Sequence, residues 1–485
     1  MNNKQVSIIV LASISLQTYS HAADNFNISS IENNLLPKVQ VIGRNYQAKT
    51  IKQRMTHYKV PGVSVAVIKD NKLAWAKGYG LANKQTSHKV TTTTLFQAGS
   101  ISKPIAALAA LKLVQQQKID LDSNINNYLK SWQIPSSAFT KENPVTLRHI
   151  LSHTGGLTVH GFPGYQRGES LPSNAAVLSG EGNTATVEVD AQPGKQWRYS
   201  GGGYTVMEQV VEDISRMTFN DYLHQEVLLP LKMKNSTFEQ PLSKTKWLQA
   251  SAAFDRQGEQ ITGDWHNYPE QAAAGLWTTP SDLANYVLAV QNARAGNNKQ
   301  MLTPETVNKM LTSHQGSWGL GPSLANNSQG LVFGHGGKNA GFTNDLVAYA
   351  DSGNAIIIMS NGDNANPLIS ELKIAISTHY GWDLAEPIQL KPTKLTKDIT
   401  NSFTGKYRYD RQSDYEINIS FTDGKIFVYD PDTDSQLEFV ATSKQGIQNL
   451  ASGSKIDFIT NEQGIVTNLT WAGSHHFTKL GDTSE

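Results

Sequence analysis

Ser100 and Lys103 stand three residues apart in Gly99-Ser100-Ile101-Ser102-Lys103-Pro104, directly ahead of the apolar run Ile105–Val114. On a helix that spacing puts a hydroxyl and an amine on one face of the first turn. A serine hydroxyl is a weak nucleophile until a base takes its proton, and lysine is such a base only as the neutral amine. Burial and a neighbouring cation both drive lysine toward that form. A second proton carrier must serve the leaving group. Tyr199 is the best candidate, since it follows Pro193-Gly194 and precedes Gly201-Gly202-Gly203, which admit other backbone closely. Its local sequence suits a packed core tyrosine equally well. Charge developing on an attacked carbonyl needs fixed N–H donors. The Ser100 N–H at a helix start is one. A strand beside it would supply another, and Phe333-Gly334-His335-Gly336-Gly337-Lys338 fits because its glycines let a substrate lie along it.

Other signals carry less. His149 and His153 have the i,i+4 spacing of a zinc pair, but Ile150 stands where a metalloprotease has glutamate and no third ligand is evident. Both read as structural histidines, and His475-His476 as exposed strand. The triple glycine lacks the lysine and preceding strand of a phosphate loop. No G-x-S-x-G occurs, which disfavours an α/β-hydrolase. No metal or cofactor is expected. The chain has no cysteine, which excludes disulfides, thiolate chemistry and a lipoprotein anchor. A net charge of +1 argues against general affinity for nucleic acid or anionic membranes.

The elements that must position these residues follow from pattern. The run after Ser100 is apolar on nearly every side and predicts a buried helix. Gly62–Ile68 and Leu73–Gly80 read as a hairpin turned by Lys69-Asp70-Asn71-Lys72. Leu331–Gly336, Gly341–Ala350 and Asn354–Ser360 read as three later strands. Together they predict a five-stranded antiparallel sheet flanked by helices, an α+β fold built from both ends of the domain. Helices are expected at Asn45–Tyr58, Thr146–Leu157, Thr205–Ser215 and Pro367–His379. Thr279-Pro280 and Thr303-Pro304 each place a hydroxyl cap before a first-turn proline. Gly161–Gln192 reads as a long functional loop.

Domain boundaries are expected as follows. Residues 1–22 form a signal peptide, with a short basic start, an apolar run Val6–Leu16 and cleavage after Ala22. That implies a periplasmic or secreted protein. Asp24 to about Leu36 reads as a mobile mature terminus. Residues 37–385 form the catalytic domain, 386–400 a linker, and 401–485 a small all-β, barrel-like domain with a hairpin signal at Asp423-Gly424.

The ordered set Ser100-Ile101-Ser102-Lys103, Tyr199-Ser200-Gly201 and His335-Gly336-Gly337 resembles the three motifs of penicillin-binding proteins and class C β-lactamases. It is most similar to the branch whose third motif begins with histidine, which holds D,D-carboxypeptidases, esterases and D-aminopeptidases. The likeness runs from Val60 to about Tyr380 and includes Leu151-Ser152-His153-Thr154-Gly155-Gly156-Leu157 and Gly275–Asp282. It implies Ser100 as acyl-forming nucleophile, Lys103 as its base partner, and Tyr199 as general base and acid. It implies His335 in substrate-carboxylate binding and proton traffic, backbone N–H groups of Ser100 and Lys338 as the oxyanion hole, and Gly201, Gly336 and Gly337 as substrate-binding positions. Two departures stand out. Gly201 replaces the usual asparagine, whose amide contacts an acylamide, and position 335 lacks lysine. The C-terminal domain resembles a lipocalin-like appendage.

The function expected is therefore a serine hydrolase working through an acyl-serine intermediate on D-amino-acid peptides or esters. The alternatives are a class C-type β-lactamase, which nitrocefin turnover would reveal, and a non-catalytic sensor of cell-wall fragments or β-lactams, which would bind without turnover. The partners expected are a small-molecule or peptide substrate such as peptidoglycan fragments, with no nucleic acid, no stable membrane anchor and oligomeric state left open.

Overall fold

A computed structural model describes residues 28–297, 301–432 and 434–481. The expected signal peptide lies outside them. The central sheet is formed by β1 (Gly62–Lys69), β2 (Lys72–Asn83), β3 (His88–Lys89), β4 (Ser323–Asn327), β5 (Gly330–Asn339), β6 (Phe342–Tyr349) and β7 (Ala355–Ser360). Their spatial order is β3-β2-β1-β7-β6-β5-β4, and every pairing is antiparallel. The expected five-stranded sheet is thus seven-stranded. The two additions are edge strands, short or polar, and lack the apolar alternation that marks a half-buried strand.

The early hairpin meets the late strands through β1 and β7, with Val63 opposite Ser360 and Ile68 opposite Ala355. Strand β7 is apolar at nearly every position because both its faces are covered. Ile356 and Ile358 pack with Leu368, Leu372 and Ile376 of a helix over Asn366–Tyr380. Ile357 and Met359 face the larger core, which contains the helices α1 (Ser102–Gln115) and α2 (Gly201–Ser215). Helix α1 is buried from Ser102 to Leu111, as its uniform apolar run requires.

The capping signals work as their chemistry predicts. Thr279 Oγ1 accepts from the Asp282 N–H at 3.1 Å, and Thr303 Oγ1 from Thr306 at 3.2 Å. One terminal expectation needs correction. Residues 28–32 form a helical turn, and Ile28, Ile31 and Leu35 are buried against the sheet's second face. Their i,i+3 and i,i+4 spacings anchor a segment expected to be a mobile terminus.

The C-terminal strands, Gly405–Tyr409 through His475–Lys479, close into an eight-stranded barrel. The segment expected as linker is structured. Ile388–Leu390 pairs in parallel with Val39–Val41, and a helix over Lys397–Phe403 sends Phe403 into the barrel core. Its ring stacks on Phe458 at 3.8 Å between centroids. Phe403→Ala is expected to cost the barrel about 3–5 kcal/mol. A thermal melt checks this: a barrel transition unmoved by the substitution contradicts the packing.

Candidate active site

Ser100 sits in a single helical turn, Gly99–Ile101, that runs into α1. Lys103 is 2% exposed. Its Nζ donates to Ser100 Oγ at 3.1 Å and to the Ala273 carbonyl at 2.8 Å. Burial drives the amine down to about 7 from its ordinary value, so a large fraction is neutral near physiological pH. The ring faces of Tyr199 and Tyr204 lie 5.0 and 5.7 Å from Nζ. They favour the ammonium but do not outweigh desolvation.

Tyr199 is hydrogen-bonded to Ser100, and burial holds its phenol well above the ordinary tyrosine range. It precedes α2, whose N-cap is Ser200: Ser200 Oγ accepts from the Gly203 N–H at 2.9 Å. His153 stacks on Tyr199 with centroids 4.2 Å apart, and its Nδ1 accepts from the Ser200 N–H at 3.1 Å. This histidine therefore fixes the tyrosine. His149 closes a capping box with Thr146. The two do not converge on a metal.

His335 is 6% exposed on β5. Burial and the neighbouring Lys103 push its ring down to about 3, so it is neutral. Its Nδ1 lies 2.5 Å from the Gly336 carbonyl, which can only accept, so the proton belongs on Nδ1. The buried Nε2 is then a lone-pair acceptor and has no partner. A neutral acceptor does not attract a carboxylate, and the geometry departs there from the role implied for His335.

Backbone proximity is set by two glycines. Gly99 has φ +54°, and a Cβ there would come within 2.5 Å of the Lys338 N. A Cβ on Gly337 would lie 1.9 Å from the Ala98 carbonyl oxygen. The turn carrying Ser100 and the strand carrying Lys338 therefore touch backbone to backbone. Both residues line one cleft of about 650 Å³, with Lys103, Tyr199, His335 and the expected Gly336 and Gly337. Gly201 is not among its lining residues. A Cβ there would meet Phe162 at 2.9 Å and the His160 carbonyl at 3.0 Å, so that position is filled from the 161–192 loop side.

Several contributors were not singled out from sequence. Trp197 and Trp318 wall the cleft, 5.5 Å apart. The turn Gln271–Ala274 supplies the acceptor for Lys103, and Glu208 of α2 holds it by accepting the Ala272 N–H at 2.8 Å. The run Ala272-Ala273-Ala274-Gly275 was the available signal, since small residues let that turn press against α1 and α2.

A buried serine–lysine pair, a tyrosine on the same hydroxyl and a glycine-spaced strand, carried on an antiparallel sheet between helical layers, define a serine hydrolase of the β-lactamase and penicillin-binding-protein type. The Beta-lactamase family model matches residues 48–377, and the chain belongs to that family. The chain is 22% identical over 339 residues to Protein flp of Staphylococcus aureus strain MW2, covering 68% of this chain and 66% of that one. It is 24% identical over 252 residues to a teichoic acid D-alanine hydrolase of Staphylococcus aureus, covering 51% of this chain and 57% of that one. The matches thus span about two thirds or less of those relatives. Among solved structures, an octameric penicillin-binding protein homologue from Pyrococcus abyssi superposes with a TM-score of 0.60 at 20% identity, over 88% of this chain and 98% of the other. SurE superposes with 0.59 at 20% identity, over 95% and 100%. The expectation that partners stop at a substrate, with assembly open, is corrected by that octamer: the fold is compatible with self-assembly.

Proposed function

We propose that this chain hydrolyses D-aminoacyl esters through an acyl-Ser100 intermediate. The observation that carries the chemistry is the buried Lys103 amine, 3.1 Å from the Ser100 hydroxyl and brought to about 7. Ser100 Oγ attacks the ester carbonyl and its proton passes to Lys103. Backbone N–H groups of Ser100 and Lys338 receive the oxyanion. Tyr199 stays a phenol, so it hands its proton to the departing alkoxide and regains one from Lys103. Water then repeats the sequence in reverse and frees the acid.

The neutral His335 favours a substrate that brings a donor. Its unpartnered Nε2 suits the ammonium of an unblocked aminoacyl group rather than a peptide carboxylate. The absence of a side-chain amide at Gly201 fits the same substrate, which has no acylamide to bind. The relative named for D-alanine hydrolysis and a neighbouring structure described as SurE with D-Leu support the D-aminoacyl assignment.

The test is to incubate the chain with a D-alanyl ester, its N-acetylated form and a D-alanyl peptide, and to follow release and the mass of Ser100. Turnover with a transient alanyl adduct on Ser100 is expected for the free amine. No adduct and no turnover overturns the proposal, and preference for the N-acetyl ester overturns the part played by His335.

The pH profile has a defined sign. Lys103 acts as base only when neutral, so acylation is expected to fall as pH drops through about 7 and to level off above it. Stopped-flow acylation rates across pH 5 to 9 check this, in roughly unit steps. A rate that rises toward acid contradicts it.

A further inference from the structure

The C-terminal barrel holds a cavity of its own, of about 340 Å³, which shares no lining residue with the Ser100 cleft. Strand alternation builds it. Tyr407 and Leu469 are buried in the barrel core. Tyr409 and Trp471, two residues further along the same strands, point the same way. They are the last residues of the strands Gly405–Tyr409 and Val466–Trp471, so their rings stand at one end of the barrel rather than in its middle. Phe477 pairs with Tyr409 across the sheet, is 3% exposed and forms the floor. The rings of Tyr409, Tyr415 and Trp471 surround it, with centroids 5.1, 6.1 and 6.3 Å from its own. Trp471 Nε1 donates to Ser454 Oγ at 2.8 Å, and Ser454 does not line the cavity. The indole therefore presents carbon to the space inside.

The mouth of this aromatic cavity is acidic. Asp430 ends the strand Lys425–Asp430, and Asp432 follows in the turn. Asp430 Oδ1 accepts from the Tyr415 hydroxyl at 2.9 Å and from the Asp432 N–H at 3.0 Å, which fixes the turn against the rings. Asp432 is exposed, and its carboxylate has no ion pair or hydrogen bond among the described residues. No lysine or arginine lines the cavity. A neutral apolar ligand would gain from the rings but would desolvate the carboxylates without repaying them. A saccharide stacks on a flat aromatic face, whereas these rings are inclined to one another by 38° to 76° and wrap a volume. Inclined ring faces and carboxylates both attract positive charge, and a mouth of this size suits a small molecule.

We propose that this end of the barrel binds a small organic cation, an N-alkylated ammonium whose methyl groups lie on the rings and whose charge faces the Asp430–Asp432 turn. It is a second binding site, separate from the chemistry at Ser100. The experiment is titration calorimetry of the full chain with choline, tetramethylammonium and 3,3-dimethylbutanol, the neutral carbon isostere of choline. Both cations are expected to bind, and the neutral isostere to bind about tenfold more weakly or worse. Trp471→Leu is expected to weaken choline about tenfold and Asp432→Asn about threefold to fivefold. The Asp432 side chain is exposed, so that variant keeps the barrel folded and decides the matter if Trp471→Leu melts early. No binding of either cation overturns the proposal. Equal affinity for the neutral isostere overturns its ionic part. Choline binding unmoved by Asp432→Asn and by a folded Trp471→Leu places the cation elsewhere and overturns the site. Displacement of choline by N-acetylglucosamine at lower concentration overturns the choice of ligand class in favour of a saccharide.

Discussion

Ser100→Ala is expected to lower turnover by roughly 10⁴- to 10⁶-fold and to abolish the covalent adduct, while leaving the fold intact. The physical case is local. Ser100 Oγ is the acceptor for Lys103 Nζ and is hydrogen-bonded to Tyr199, so its removal leaves both proton carriers without a nucleophile to serve. The other alkyl hydroxyls at the cleft have no base beside them: Ser323 Oγ donates to the Gly334 carbonyl at 2.8 Å, Thr343 Oγ1 donates to the Gly362 carbonyl at 2.9 Å, and the nearby buried Ser102 accepts from the Leu276 N–H at 3.0 Å, while the chain has no cysteine. Lys103 retains the Ala273 carbonyl as partner, so the buried amine is not stranded and the melting temperature should change little. Single-turnover mass spectrometry with a chromogenic ester gives the answer. Retained burst kinetics in the alanine variant would place the nucleophile elsewhere.

The second large effect is expected from a residue with no side chain. Gly337→Ala would put a methyl 1.9 Å from the Ala98 carbonyl oxygen, and since the Cβ is fixed by the strand and the oxygen is backbone, neither can rotate away. Strand β5 must then withdraw from the Gly99–Ile101 turn. The Lys338 N–H goes with it, and loss of one oxyanion donor costs about 10²- to 10³-fold in kcat. Gly336→Ala is the matched control. A Cβ there meets nothing nearer than the Asn344 carbonyl oxygen at 3.9 Å, so it leaves the strand in place. The contrast between the two, measured as kcat at saturating ester, separates a misplaced donor from a blocked cleft. Equal kcat in both variants contradicts the backbone contact.

Much of this site was legible because its chemistry needs fixed residue types at fixed local spacings. Ser100 and Lys103 share one helical turn, and the glycines of 334–337 mark a strand that other backbone must approach. The helical layers and the sheet's middle strands were legible for a related reason, since β7 is apolar on both faces and α1 on all sides. What was not legible depends on contacts between distant segments. The acceptor for Lys103 comes from Ala273, and the ring packed edge-on against His335 from Trp318, which has no local signal at all. His335 is a further case: its motif position was readable, but its neutrality follows from burial beside Lys103, a property of the folded cleft. The position of Gly201 shows the converse. The resemblance placed it among the substrate-binding positions, whereas in the fold Phe162 and the His160 carbonyl occupy the space beside it. The edge strands and the buried turn at 28–32 escaped notice because short polar segments are placed by what they dock on rather than by their own periodicity.

The pairing of β1 with β7 has a consequence in time. Val63 is made early and its partner Ser360 late, and the strand that brings Lys338 to Ser100 lies between them in the chain. Strand β7 is the link between β1 and the strands that carry Lys338, since it pairs with β1 on one side and β6 on the other. The first hairpin must wait with an unpaired edge for a contact almost the full domain away, the arrangement that makes folding slow. The nucleophile and its base share one local turn, whereas the Lys338 N–H joins them only through a strand made more than two hundred residues later, so the oxyanion hole is the part of the site that depends on the long-range closure of the sheet.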